Sequence, residues 1–120
     1  MGTFRLYTGS DGQSHFETID LAKTPDWTKG LATTRISFRT DPVGHFIDWH
    51  PAPRRQFVIT LAGLVEVECG DGTKRRFGAG DIMLADDTTG QGHITREIQA
   101  PRKSLFIPLP ASLDTKAWKV

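Results

Sequence analysis

Apolar and polar residues alternate over short stretches from about Thr33 to Leu109, and Gly, Pro and Asp interrupt them at close intervals. A period of two sends successive side chains to opposite faces of a strand, so each stretch predicts a half-buried β-strand. Strands are expected at 34–39, 45–49, 56–69, 74–77, 81–85, 93–98 and 105–108. Helical periodicity is almost absent, and spacing this regular predicts an all-β sandwich or barrel. In Cys69-Gly70-Asp71-Gly72-Thr73 the glycines supply the positive-φ positions that reverse a hairpin, and 77–81 is a second turn. A longer polar loop follows at 86–92.

The first thirty residues carry a weaker pattern, with Phe4, Leu6, Phe16, Ile19, Leu21 and Trp27 spread among polar positions. Residues 1–30 are expected to form an arm packed on a barrel of 31–120, or to add an edge strand or part of a dimer contact. Trp118 is expected to anchor the carboxyl-terminal tail.

The 120 residues suit one domain with one site. Fifteen Lys and Arg against fourteen Asp and Glu leave a formal charge of +1, which gives no reason to expect broad attraction to nucleic acid or to a membrane surface. No apolar run approaches the roughly 20 residues of a membrane helix. Cys69 is the single cysteine, so no internal disulfide forms, and residues 1–11 lack the basic lead and apolar run of a signal peptide. A cytoplasmic protein is expected.

Two segments carry a more specific pattern. Gly44, His50, Ala52, Gln56 and Gly63 keep the spacing of a motif that runs Gly, five residues, His, one residue, His, three or four residues, Glu, six residues, Gly. A second motif starts at Gly80 and has His93 as its histidine, two positions late because the 86–92 loop is longer. The chain from about Arg35 to Leu109 thereby resembles the cupin superfamily, in particular small single-domain bacterial cupins. The resemblance implies a double-stranded β-helix, or jelly-roll barrel, around an internal pocket. It also implies a homodimer, since small cupins commonly pair through edge strands and the amino-terminal arm.

In typical cupins three histidines and a carboxylate hold a divalent Fe, Mn, Ni or Zn ion. Here Ala52 stands at the second histidine, Gln56 at the glutamate and Glu97 at the asparagine of the second motif. The resemblance therefore leaves His50, Gln56 and His93 as candidate metal ligands, a set without an anionic member.

If Gln56 points inward, alternation brings Val58 and Thr60 with it, and on another strand groups His93 with Thr95 and Glu97. His50, His93 and Glu97 are the candidate catalytic residues, with the carboxylate orienting an imidazole for proton transfer. The bland alternative pairs Glu97 with Arg96, Arg102 or Lys103 at the surface. Gln56, Thr60, Thr95 and Arg55 are the candidate substrate-binding residues. At most one of the adjacent Arg54 and Arg55 turns inward, and either also has Asp86 and Asp87 as salt-bridge partners. Two functions remain open: a small-molecule enzyme (isomerase, lyase or dioxygenase-like, metal-dependent or not) and a non-catalytic, metal-free binding module.

Overall fold

The computed structural model describes residues 2–23, 25–42 and 44–120. Eight strands carry the chain: β1 Thr3–Thr8, β2 Ser14–Thr18, β3 Ser37–Asp41, β4 Phe46–His50, β5 Gln56–Glu68, β6 Lys74–Phe77, β7 Ile82–Asp86 and β8 His93–Pro108. Among the described residues helix is confined to one turn, α1 Asp26–Lys29, and two 3-10 turns, Leu21–Lys23 and Thr115–Trp118. No helix among the described residues is long and apolar enough to cross a membrane. The chain is all-β, as the alternation predicted.

Two long strands organise the rest. The first half of β5 pairs with β7 and with the second half of β8, from Gln56↔Pro108 to Thr60↔Ser104. Its second half pairs with β6 and with the first half of β8, from Val65↔Glu97 to Glu68↔Ile94. β8 in turn carries β4 on its first half and β3 on its second. The result is two half-sheets, β2-β1-β7-β5-β8-β3 and β6-β5-β8-β4, that share β5 and β8 and close over a common interior. This is the double-stranded, jelly-roll manner of the cupin resemblance.

The corner between the half-sheets is built at Gly63. The β5–β8 register slips three times between Thr60 and Val65, and such irregularities bend a strand and sharpen its twist. Gly63 has φ +80°, and a Cβ there would sit 2.6 Å from the carbonyl oxygen of Gln99, so only glycine fits. β8 runs continuously where two strands, 93–98 and 105–108, were expected. Pro101 reads as a breaker, but it falls in the gap of the β5 ladder between Gln99 and Lys103, where no partner needs its missing N–H.

Within the first thirty residues two strands join the sheet, and Leu21 and Trp27 pack on its outer face. β1 and β2 form a hairpin, and β1 pairs in parallel with β7, from Thr3↔Ile82 to Tyr7↔Asp86. Alternation along β5 then divides the molecule into two cores. Val58, Val65 and Val67 join Leu6, Phe77, Met83 and Ala85 in the interior. Phe57 and Leu84, on the opposite face, pack with Ile19 and Trp118 beneath the helical turns and the tail. Trp27 stacks edge-on against both Phe57 and Trp118, at 4.9 and 5.2 Å between ring centroids.

Candidate functional site

The interior core is incomplete. A cavity of about 210 Å³ remains between the half-sheets, walled by apolar side chains that include Val58, Val65, Val67, Phe77, Met83 and Phe106. Gln56, Thr60, His93 and Thr95 also line it, where alternation along β5 and β8 placed them, and His50 joins them from β4.

His50 and His93 are register partners across β4 and β8, with ring centroids 4.4 Å apart. Each has its Nδ1 committed. His93 Nδ1 lies 2.5 Å from Asp87 Oδ2, and His50 Nδ1 lies 2.8 Å from the carbonyl oxygen of Asp48. A carboxylate and a carbonyl can only accept, so the proton of each neutral imidazole sits on Nδ1 and the lone pair is left on Nε2. Neither Nε2 has a hydrogen-bond partner among the described residues.

Asp87, read from the sequence only as a salt-bridge partner for Arg54 or Arg55, is bound to His93 instead. Its side chain is 0% exposed, and Oδ2 also accepts from Ser14 Oγ of β2 at 2.6 Å, while Oδ1 is buried without a partner. The signal was present: the parity that gathers Met83 and Ala85 on the cavity face, continued one residue past β7, puts Asp87 with them. The loop that carries Asp87 and His93 is pressed on β4 at Gly92, where φ is +78° and a Cβ would fall 2.0 Å from the His50 carbonyl oxygen. A backbone bond from Ala52 N to Asp87 O, 2.9 Å, ties it down from the other side.

Glu97 and Arg55 lie elsewhere. Glu97 does not join His93; it is buried behind the cavity wall and accepts from Arg102 Nη1 at 3.0 Å, so its partner is one of those expected at the surface, met in the interior. Glu97 keeps the parity of His93 and Thr95 and is the register partner of the cavity-lining Val65, so it is the ion pair with Arg102, not a change of face, that separates it from His93. Arg55 turns away from the cavity. Its Nε donates to Asp86 Oδ1 at 2.7 Å, and its Nη1 reaches the carbonyls of Pro110, Ala111 and Leu113. Asp86 also accepts from Arg5 Nε at 2.8 Å and Thr115 Oγ1 at 2.7 Å. Burial alone would raise the Asp86 carboxyl, but the bonds from Arg55, Thr115 and Arg5 outweigh it and hold the group below its ordinary range. The arginines that do line the cavity are Arg39 and Arg102, neither of them singled out by the motifs.

The donor set does not fit a resident metal ion. Ala52 presents a methyl group and Gln56 a neutral amide, and among the described residues no three His, Cys, Asp or Glu side chains converge.

No family model and no curated protein matches the chain. Solved structures do. A conserved protein of unknown function from Streptococcus pyogenes is 21% identical at a TM-score of 0.45, over 78% of this chain and 93% of that one. A candidate ethanolamine utilization protein Q from Salmonella typhimurium is 14% identical at 0.37, over 93% and 98%. A candidate mannose-6-phosphate isomerase from Ralstonia eutropha is 17% identical at 0.32, over 89% and 83%.

Proposed function

We propose that this chain is a small cupin-type barrel that holds one small organic molecule in its interior cavity and moves a proton on it. The observation that carries the reading is the Asp87–His93 pair beside His50. Two imidazoles, each with its tautomer set by an acceptor on Nδ1, bring two Nε2 lone pairs to one wall of a mostly apolar space. In this reading one Nε2 takes a proton from a carbon next to a ligand carbonyl and returns it to the same or a neighbouring atom, the chemistry of an isomerase. Gln56, Thr60 and Thr95 orient the ligand. The size fits: a cavity of roughly 150 Å³ holds benzene, so 210 Å³ admits a compact molecule of slightly larger bulk.

The test is hydrogen–deuterium exchange at carbons next to carbonyl groups, followed by NMR in D2O over a panel of compact carbonyl compounds. The wild type is expected to speed exchange of at least one compound, and His93→Gln to slow it by about 10²–10⁴-fold. Compounds that raise the melting temperature but exchange no faster than with His93→Gln would overturn the catalytic reading. A second reading, a metal-free binding module, would then stand, and Ala52 and Gln56 at the cupin ligand positions favour it.

A further inference from the structure

The cavity wall is chemically one-sided. Its titratable side chains are Arg39, His50, His93 and Arg102, and no Asp or Glu is among the lining residues. The acids stand behind these bases: Asp87 behind His93, Glu97 behind Arg102, and Asp41 3.3 Å from Arg39 Nη2 and 3.8 Å from Arg102 Nη1. Arg102 is the telling member. It is 4% exposed, yet among the described residues only the Nη1 of its three nitrogens has an acceptor, and Nε is buried without one. A buried guanidinium left this unsatisfied costs free energy that an acceptor on a ligand would recover. Arg39 lies over the Phe106 ring, 4.8 Å from its centroid, and puts a second guanidinium on the same wall.

Resting on the reading that the cavity holds a small molecule, we infer that the molecule is a monocarboxylate with a compact apolar body. Its carboxylate is received by Arg102 with Arg39, and its body lies against Val58, Val65, Val67, Phe77 and Met83. A carboxylate offers two acceptors to the planar guanidinium fork. Glu97 and Asp41 balance the charges of the two arginines, so what the cavity offers a carboxylate is the guanidinium N–H groups they leave unused. With that end held, the rest of the molecule extends along the wall that carries His50 and His93.

Benzoate and its neutral near-isostere benzamide test this by isothermal titration calorimetry. Benzoate is expected to bind about tenfold tighter or more, a charge-assisted preference. The double variant Arg102→Met with Glu97→Gln removes the pair without stranding a buried charge; it is expected to keep benzamide and bring the two affinities within about twofold. Arg39→Gln, at a more exposed position, is expected to cut the preference about threefold whether or not the double variant folds. Equal affinities in the wild type, or a preference that survives both variants, would overturn the carboxylate inference and leave the cavity reading intact. If neither compound binds, both readings fall together.

Discussion

The two faces of the larger half-sheet are made by the same strands, residue by alternate residue, and they are finished differently. On the outer face Phe57 and Leu84 pack against Ile19 and Trp118, and Asp86 receives donors from Arg55, Arg5 and Thr115. On the inner face Val58, Met83 and Ala85 leave a cavity, Asp87 has one oxygen unpartnered and Arg102 its Nε. Asp86 and Asp87 are neighbours in sequence, yet one closes a structural cluster and the other aims a histidine. The charged groups gathered at Asp86 are paired with one another, whereas Asp87 and Arg102 on the inner face keep polar atoms without a partner among the described residues, and the proposed ligand site rests on that asymmetry.

Breaking the outer face should cost the most. Trp118 is 2% exposed, and Trp118→Ala is expected to lower unfolding free energy by about 3–5 kcal/mol in urea titrations. Tm should fall in the apo protein while the wild-type preference for benzoate over benzamide stays. A loss of that preference at temperatures where the variant is folded would mean that the two faces are not independent.

Next in size is the contrast between the adjacent aspartates. Asp86→Asn strips the carboxylate from two arginines and should cost about 3 kcal/mol, against about 1–2 kcal/mol for Asp87→Asn, whose amide oxygen can still accept from Ser14 or His93. The pH dependence separates them further. Because the folded Asp86 pKa lies below its unfolded value of 3.8, the unfolded state binds the extra proton. The stability this contributes is complete above that value and lost as pH falls below it, through the folded pKa. Between about pH 5 and pH 2 the wild type should therefore lose more stability than Asp86→Asn. Parallel pH profiles for the two proteins would remove Asp86 as the source.

The smallest effect is a rate. Cys69 belongs to the inner core and is 1% exposed; burial first, and then the nearby charges of Asp71, Asp87 and Glu68, push its thiol up to about 12. A thiol-specific dye at pH 8 is expected to leave the folded protein unlabelled over the time in which it labels the urea-unfolded chain completely. Rapid labelling of the folded chain would show that the inner core opens readily.

The period-two rule placed Gln56, Thr60, His93 and Thr95 on the cavity correctly because β5 and β8 are regular there. Glu97 follows the same parity, but its carboxylate goes to Arg102 rather than His93, a choice between two bases that alternation does not decide. Arg102 was illegible for a different reason: β8 bends, and the bend carries its second half to the same cavity as its first. Asp87 was legible in principle by extending the β7 parity. Ser14 was not, since its place depends on a hairpin docking against a strand some seventy residues away. The weak pattern of the first thirty residues follows from the same cause, because the parallel β1–β7 pairing has no local turn to mark it.

That pairing also sets the order in which the molecule can be built. Thr3 finds its partner at Ile82, so the first strand made is held back until most of the chain exists, and β7 must be in place before it docks. Closure of so long a loop comes before any reward, which puts the barrel among slow, millisecond-to-second folders. During synthesis the amino-terminal hairpin waits with Phe4, Leu6 and Phe16 uncovered until β7 has been made. The Ser14 bond to Asp87, which completes the His93 pair, therefore forms only once the amino-terminal hairpin has docked on β7.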